Sequence, residues 1–214
     1  MKNVKPLTMS GFFYLIYKKI NSRELEKFSK LKPKDEFVDG KEKVLYKDDN
    51  MKVIDYENWS VIEEKDTIVC IPYLIETDQI VLRYEYIPPF KHSDGQEYHI
   101  TVISGGVERG ETPEKALLRE LEEEAGIVLR EGYTIEFMKP LFKTKAHNNK
   151  YHPCILTLSE NDYHEVVAKG DGSKTESLSK SVKVDVKYIK SLNTSDLITD
   201  YMLDKVKKYI NQNQ

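Results

Sequence analysis

Closely spaced glutamates near the middle of the chain are the residues best suited to bind a metal ion. Residues 105–127 read GGVERGETPEKALLRELEEEAGI and follow the pattern G-x5-E-x7-R-E-U-x-E-E-x-G-U, in which U is aliphatic. Clustered carboxylate oxygens are the donors that Mg²⁺ and Mn²⁺ prefer. The segment therefore predicts a divalent-metal site built from glutamates.

A single helix is predicted to position these glutamates. Thr112 is a suitable N-cap, Pro113 suits the first helical position, and Gly126 can adopt the left-handed conformation that ends a helix. At about 100° per residue, such a helix has an acidic face and an apolar face. We expect the apolar face to pack on a sheet and the carboxylates to point outward. The acidic face comprises Glu120, Glu123 and Glu124, and the apolar face comprises Leu118, Leu121 and Ala125, with Leu117 at its margin.

Electrostatics favour a bound cation at the end of this helix. The glutamates occupy the last turn, where the helix dipole makes each negative charge unfavourable by about 0.3–1 kcal/mol. Glu120 and Glu124 also form a like-charged i,i+4 pair, which is unfavourable by a further ~0.2–0.5 kcal/mol. The alternative is a solvated acidic face, as on most Glu-rich helices. The two glycines at the fixed positions of the pattern, the helix cap and Arg119 favour the metal site.

The complete pattern resembles the Nudix box, the signature of hydrolases that cleave a nucleoside diphosphate linked to another group. Every fixed position of the box is filled. The resemblance implies an α/β (α+β) fold, the Nudix α/β/α sandwich with a mixed sheet, preceded by a small N-terminal helical and β appendage. It also implies catalysis with Mg²⁺ or Mn²⁺, which stabilises charge on phosphoryl oxygens and polarises a water nucleophile.

Carried over by position, the resemblance implies roles for individual residues. Arg119 and Glu111 are expected to hold the loop and the helix together, so that Arg119 orients the site. Glu123 is either a metal ligand or a partner of the ligands. The expected metal ligands are Glu120, Glu124, Glu123 and a backbone carbonyl near Ser104 or Gly105.

A general base must accept a proton from the attacking water. In relatives of the ADP-ribose pyrophosphatase type, this base is a glutamate on a late loop before the last main strand, and Glu176 occupies that place. The alternative interpretation of Glu176 is a solvated loop acid. Glu123 is another candidate base, and Glu160 and Glu165 are weaker ones. The predicted catalytic residues are therefore Glu123, Glu176 and Arg119.

The chain length, the N-terminal appendage and the strand sequence VLRYEY at residues 81–86 resemble the ADP-ribose pyrophosphatase branch. That branch commonly forms dimers in which N-terminal strands cross between subunits, so a homodimer is expected by analogy. Three departures separate this chain from the branch. Tyr86 stands where arginine is usual, residues 101–105 read TVISG in place of Glu-x-Pro-Ala-Gly, and Pro140 lies nearer to the box than the corresponding proline. The resemblance thus predicts the reaction type and leaves the sugar open.

Three side chains are candidate substrate contacts. Arg83 is a candidate phosphate ligand, and Tyr84 can stack on a nucleobase. Trp59, the only tryptophan, is placed as a nucleobase contact by the relatives. The alternative for both aromatic residues is packing in the core or in a dimer. His147 and His152 are interpreted as polar surface.

Composition limits the range of functions. The chain has 214 residues and a formal net charge of -3, so a long nucleic acid partner is not expected. Cys70 and Cys154 lie in apolar runs, which argues against a disulfide framework. The apolar run at residues 11–17 is too short to span a membrane and lacks a cleavage site. We expect a cytoplasmic protein without a membrane segment.

The chain is predicted to divide into an appendage, residues 1–66, and a Nudix hydrolase domain, residues 67–214. The appendage should hold a helix at residues 12–30 and a small antiparallel sheet, which is a candidate dimer interface, at residues 43–46, 51–56 and 59–63. A final helix should be capped by Ser195 or Asp196, with an apolar side that begins at Leu197. The domain strands are predicted at residues 68–74, 79–86, 98–103, 134–138, 154–158 and 181–188, with a loop at residues 143–152.

Functions other than a pyrophosphohydrolase also fit parts of this sequence. The same chemistry suits NADH, another dinucleotide, a coenzyme or a capped RNA 5′ end. An isopentenyl-diphosphate isomerase shares the fold but needs a reactive cysteine beside an acid, and Cys70 lies in a strand. A nucleotide sensor of this fold usually has an eroded box, whereas this box is complete. The sequence favours a hydrolase that converts ADP-ribose or a nucleotide sugar to a nucleoside monophosphate and a phosphorylated product.

Overall fold

A computed structural model describes residues 42–56, 59–90, 95–170, 172, 177–194 and 196–213. The chain from Lys43 to Gln214 forms one compact unit. The helix predicted at residues 12–30 lies outside the described residues, as do Glu176 and Ser195. The boundary at residue 66 stays a prediction.

Among the described residues, seven strands precede the first helix, and six more strands lie between it and the last helical region. The strands are β1 (Glu42–Lys47), β2 (Lys52–Tyr56), β3 (Trp59–Glu63), β4 (Thr67–Leu74), β5 (Gln79–Tyr86), β6 (Tyr98–Thr101), β7 (Ile103–Gly106), β8 (Ile127–Leu129), β9 (Thr134–Phe137), β10 (Leu141–Phe142), β11 (Lys150–Leu158), β12 (Tyr163–Glu165) and β13 (Lys180–Asp185). The α-helices are α1 (Pro113–Glu120) and α2 (Leu197–Asn213). A π-helical turn (Leu121–Ala125) continues α1, and a 3-10 helix (Val186–Ser191) follows β13.

Strands β1, β2 and β3 form the small sheet that the sequence predicts before residue 66. Strands β2 and β3 are antiparallel, with Val53 opposite Ile62. The turn between β1 and β2 is closed by Asp48, whose Oδ1 accepts hydrogen bonds from the backbone N–H groups of Asn50 and Met51. This side-chain acceptor is the reason that an Asp-Asp-Asn sequence favours a turn here.

The large sheet is mixed, as predicted. Its strands run in the order β10-β11-β4-β5-β13, with β6 paired to β5, β7 to β4 and β9 to β11. Strand β11 is parallel to β4 from Tyr151 opposite Thr67 to Leu158 opposite Leu74, and the other pairs in this sheet are antiparallel. A second, two-stranded sheet pairs β8 with β12.

Helices α1 and α2 cover opposite faces of the large sheet. Side chains alternate along β4, so Ile68 and Cys70 belong to one buried cluster and Val69 and Ile71 to the other. The first cluster receives Ala116, Leu117 and Leu121 from the α1 region, and the second receives Met202, Leu203, Val206 and Ile210 from α2. The unit that begins at Lys43 is therefore an α/β/α sandwich, which confirms the predicted fold class.

The strand predicted at residues 98–103 is two strands. Strand β6 pairs with β5, whereas β7 pairs with β4, so the chain must cross between two partners. The crossing occurs at Val102, which is buried and whose N–H donates to Thr199 Oγ1 of α2 at 3.3 Å. Sequence periodicity does not reveal this change of partner, because the residues on both sides of Val102 remain extended.

Other predicted boundaries and faces also need correction. Strand β13 ends at Asp185 instead of Tyr188, because the 3-10 helix that follows brings Ile189 into the core. Strand β11 begins at Lys150, inside the predicted loop. Leu118 is 37% exposed and Leu197 is 81% exposed, so both lie off the apolar faces assigned to them. Leu117 and Leu203 are buried on α1 and α2.

The cap of α2 is confirmed at one of its two predicted positions. Asp196 Oδ2 accepts hydrogen bonds from the backbone N–H of Thr199 at 3.1 Å and from its hydroxyl at 2.6 Å. This carboxylate satisfies a backbone donor that the first turn of a helix leaves unpaired. Across the described part of the chain, no helix has the length and apolar character needed to cross a membrane.

Candidate active site

Helix α1 begins and ends as the sequence predicts. Thr112 is the N-cap and its Oγ1 accepts a hydrogen bond from the Lys115 N–H at 3.3 Å, with Pro113 at the first helical position. Gly126 ends the helix with φ of 65°. A side chain there would be strained by this conformation and would also place a Cβ 2.3 Å from the Val166 carbonyl oxygen. Both ends of the helix are thus fixed by local sequence.

The last turn of the helix widens into a π-helical turn, Leu121–Ala125, which carries Glu123 and Glu124. Turns of this kind are rare and are often found at functional sites. Glu120 and Glu124 are only 6% and 8% exposed, whereas Glu123 is partly exposed. The expectation that all three carboxylates point outward is therefore wrong, because two of them turn toward β7.

Strand β7 receives these two carboxylates. A Cβ on Gly105 would lie 1.8 Å from Glu120 Oε1, so only glycine leaves room for the Glu120 side chain. The Ser104 N–H donates to Glu124 Oε2 at 3.3 Å. The first glycine of the box thus has a steric role, and Ser104 contacts Glu124 through its backbone.

Arg119 links the loop before the helix to the acidic cluster. Its Nη2 donates to the Gly106 carbonyl at 2.8 Å and to Glu111 Oε2 at 3.2 Å. Its Nη1 donates to Glu120 Oε1 at 2.6 Å and to Glu123 Oε2 at 3.1 Å. Burial lowers the pKa of Arg119, but the hydrogen bonds that Arg119 donates to Glu111 and Glu120 outweigh burial and raise the pKa above its usual value. This geometry accords with the predicted orienting role of the Arg119–Glu111 pair.

Arg83 of β5 lies beneath the end of the helix. It is 3% exposed, its Nη1 donates to the Glu124 carbonyl at 2.6 Å, and its Nε lies 3.9 Å from Glu124 Oε2. Ser181 of β13, the register partner of Arg83, donates to the same carbonyl at 3.0 Å. Sequence analysis missed Ser181. The sequence does indicate a special role for Arg83, because an arginine inside the apolar run of β5 must have a partner for its charge when it is buried.

Glu124 and Glu120 have the donor chemistry of a divalent-metal site. Both offer hard oxygen ligands, and burial raises the pKa of Glu124 to about 8, with Arg83 opposing the shift and Glu120 adding to it. A nearby divalent cation would favour the charged carboxylate. Among the described residues, no three His, Cys, Asp or Glu side chains already converge at metal-binding geometry. The Arg119 guanidinium bridges Glu120 and Glu123 instead. The donors fit a metal, provided that these side chains rearrange around it.

Two clefts adjoin the acidic turn. One has a volume of about 450 Å³ and is lined by Arg83, Glu123 and Glu124 together with residues of the segments 167–172 and 177–181. The other has a volume of about 390 Å³ and is lined by Arg119, Glu122 and Lys169 among others. Volumes of this size suit a small-molecule ligand.

Two of the predicted substrate contacts lie away from these clefts. Tyr84 follows Arg83 on β5, so it faces the opposite side of the sheet, where its ring stacks on Tyr98 with a centroid distance of 5.1 Å. Trp59 is on β3, is 53% exposed, and donates from Nε1 to the Lys145 carbonyl at 3.3 Å. The described residues thus bring Arg83, Arg119 and the three glutamates together, but not Tyr84 or Trp59.

The other residues considered from the sequence, two histidines, an acid and a cysteine, each contact another side chain of the protein. His152 lies in β11 and its Nε2 is 2.7 Å from Asp66 Oδ2, while His147 Nδ1 is 2.6 Å from Thr144 Oγ1. Glu165 forms an ion pair with Lys183.

Cys70 is fully buried. Burial, and to a smaller extent its hydrogen bond with Cys154, raises the pKa of its thiol well above the usual value. Such a thiol is inert, which argues against the isomerase alternative.

Stability of the metal-free protein should fall as the pH rises. The pKa of Glu124 is 4.5 in an ordinary environment and about 8 in the fold. Between these pH values the unfolded chain has released the proton and the folded chain retains it, so folding becomes less favourable with increasing pH. We expect the thermal unfolding midpoint in EDTA to decrease over this interval and Mg²⁺ to reduce the decrease. Glu124→Gln should flatten the dependence; an unchanged slope in that variant would contradict the assignment.

Comparison with known proteins bears on the family and the fold of this chain. The NUDIX domain family model matches residues 66–185, which is more than half of the 214-residue chain. No curated protein sequence matches the chain. A solved ADP compounds hydrolase shares its fold with a TM-score of 0.57 and 15% identity, over 80% of this chain and 92% of that chain. A solved MutT, from work on Aliivibrio salmonicida and Vibrio cholerae, has a TM-score of 0.47 and 17% identity, over 67% of this chain and 97% of that chain. With the complete box at residues 105–127 and the family match around it, this chain belongs to the Nudix hydrolase family.

Proposed function

We propose that this hydrolase uses Mg²⁺ or Mn²⁺ to cleave a nucleoside diphosphate linked to another group, with ADP-ribose or a nucleotide sugar as the substrate class. The observation that carries the proposal is the pair of buried carboxylates, Glu120 and Glu124, held against Ser104 and Gly105 beside a cleft of about 450 Å³. The fold shared with an ADP compounds hydrolase is in keeping with this substrate class.

In the proposed reaction, water attacks one phosphorus of the diphosphate and the bridging P–O bond breaks. The products are a nucleoside monophosphate and a phosphorylated second group, and the proton of the water passes to a base. Glu120 and Glu124 would hold the divalent cation, together with Glu123 and a carbonyl near Ser104. When bound, the cation supplies positive charge to the phosphoryl oxygens and polarises the water. Arg119 keeps Glu120 and Glu123 oriented through its hydrogen bonds.

We propose Glu176 as the general base, on the resemblance to the ADP-ribose pyrophosphatase type. Glu176→Gln should lower kcat by about 10²–10⁴-fold, the usual contribution of a positioned base, while the Mn²⁺ affinity stays unchanged. Steady-state kinetics and Mn²⁺ titration test this together. Glu160→Gln, which neutralises an exposed glutamate, serves as the comparison. A normal rate for Glu176→Gln would place the base elsewhere, and a slow Glu160→Gln would point to that residue.

The substrate class is tested by product release across a panel. ADP-ribose, nucleotide sugars, NADH, dinucleoside polyphosphates and coenzyme A would be incubated with Mg²⁺, Mn²⁺ or EDTA, and a coupled phosphatase would reveal the monophosphate products. Metal-dependent turnover of ADP-ribose or a nucleotide sugar supports the proposal. Exclusive turnover of another compound, or silence across the panel, contradicts it. By the resemblance to the ADP-ribose pyrophosphatase branch, we also propose a homodimer. From the cysteine usage and the short N-terminal apolar run, we propose a cytoplasmic location.

A further inference from the structure

The backbone carbonyls at the end of α1 and its π-helical turn are held by other parts of the fold. A helix leaves its last carbonyl groups without partners inside the helix. The Glu123 carbonyl accepts from the Gly170 N–H at 2.9 Å, and the Gly126 carbonyl accepts from the Val166 N–H at 2.8 Å. The Glu124 carbonyl accepts from both Arg83 Nη1 and Ser181 Oγ. The position of the acidic turn therefore depends on contacts from outside the helix.

Arg83 holds the backbone of Glu124 and also faces the Glu124 side chain. Its Nη1 donates to the Glu124 carbonyl at 2.6 Å, and its Nε lies 3.9 Å from Glu124 Oε2. Nε is buried and has no hydrogen-bond partner within the described structure. One guanidinium thus restrains the main chain of Glu124 and provides a positive charge 3.9 Å from its carboxylate.

We propose that Arg83 is a positioning residue for Glu124 and not a contact for the substrate phosphate. This inference rests on the proposed function, in which Glu124 is a metal ligand. Arg83 contributes to the lining of the cleft of about 450 Å³, but its side chain is only 4% exposed and its Nη1 is bound to the Glu124 carbonyl. A planar guanidinium can present one nitrogen to the carbonyl and another to the carboxylate of the same residue, which a lysine ammonium cannot do in the same geometry.

Loss of this contact should weaken metal binding more than substrate binding. Groups that orient a metal ligand typically contribute about 10- to 100-fold to metal affinity or activity. Removing the guanidinium leaves a buried carbonyl and a buried carboxylate without their cationic partner, so Glu124 would no longer be fixed toward β7. Ser181 holds the same carbonyl from β13, so its removal should have a smaller effect in the same direction.

The test measures the Kd for Mn²⁺ by electron paramagnetic resonance in full-length Arg83→Met, Arg83→Lys and Ser181→Ala. Arg130→Met, which removes an exposed arginine, is the matched control. We expect the Kd to rise by about 10- to 100-fold in Arg83→Met and less in Arg83→Lys and Ser181→Ala, with no change in the control. At saturating Mn²⁺, the KM for the nucleotide should stay near the wild-type value in every variant.

An unchanged Mn²⁺ Kd together with a raised KM would overturn the proposal, because it would make Arg83 a substrate contact. If Arg83→Met does not fold, as judged by circular dichroism, Arg83→Lys and Ser181→Ala decide the question by the same two readouts. A wild-type protein that binds Mn²⁺ but cleaves no nucleotide would contradict the proposed function alone, since the Kd comparison remains readable. Absence of Mn²⁺ binding by the wild type would overturn both.

Discussion

Glu124→Gln is expected to lower turnover by about three orders of magnitude while the protein stays folded. The amide keeps the shape of the buried side chain but loses the charge that would ligate the metal. A bound metal contributes several kcal/mol of transition-state stabilisation, and each 1.36 kcal/mol corresponds to a factor of ten in rate. Steady-state kinetics with Mg²⁺ or Mn²⁺ measures this loss.

The fold of this variant should be at least as stable as the wild type without metal. Burial raises the pKa of Glu124 to about 8, so the neutral amide removes the unfavourable ionisation of a buried acid. Glu114→Gln, at an exposed glutamate of the same helix, is the matched control and should retain normal activity. Near-normal turnover of Glu124→Gln would contradict the metal assignment.

Gly105→Ala should give the second-largest effect, about a 100-fold loss of turnover. The added Cβ would lie 1.8 Å from Glu120 Oε1 and 2.5 Å from its Cγ, so the whole carboxylate must move. Displacement of a catalytic group by about 1 Å is sufficient for a loss of this size. The Mn²⁺ affinity should fall with the rate, because Glu120 is a proposed ligand.

Gly106→Ala provides the control at the neighbouring position of β7. Its added Cβ would meet Lys65 Cδ at 3.5 Å, an ordinary contact. This variant should bind Mn²⁺ and turn over substrate at close to wild-type levels. Equal losses in the two variants would show that a methyl group anywhere in this strand is damaging, and the specific role of Gly105 would be wrong.

Local sequence was sufficient to predict the helix of the box and its ends. The Thr112 side chain, the ring of Pro113 and the left-handed conformation of Gly126 act within a few residues, so their effects follow from sequence spacing. The mixed sheet and its two covering helices were predicted because the family resemblance supplied the long-range pairing. Periodicity alone leaves strand order undetermined.

The geometry of the acidic turn depends on residues far apart in the chain. A regular period of 3.6 residues places Glu120, Glu123 and Glu124 on one outward face, but the π-helical turn and β7 bury two of them. The contacts of Arg83 and Ser181 with the Glu124 carbonyl span 41 and 57 residues of sequence. No local pattern encodes a contact of that range. The sequence therefore predicts where the site lies but not its geometry.

Leu118 illustrates the same limit for packing. Sequence periodicity placed it on the apolar face with Leu121, but Leu117 is the residue that is fully buried beside Leu121. Adjacent residues lie about 100° apart around a helix, so the rotation of the helix about its axis decides which of the two leucines is buried. That rotation is set by packing in the buried cluster that Leu117 and Leu121 share with Ile68 and Cys154, which sequence spacing does not specify.

The most direct test of metal-dependent diphosphate cleavage at the Glu120–Glu124 pair is ³¹P nuclear magnetic resonance of the reaction with ADP-ribose. Wild-type protein with Mg²⁺ or Mn²⁺ should convert the diphosphate signals to those of AMP and ribose 5-phosphate. EDTA or Glu124→Gln should abolish the conversion. Cleavage that proceeds at the same rate in EDTA, or equally fast in Glu124→Gln, would contradict the account.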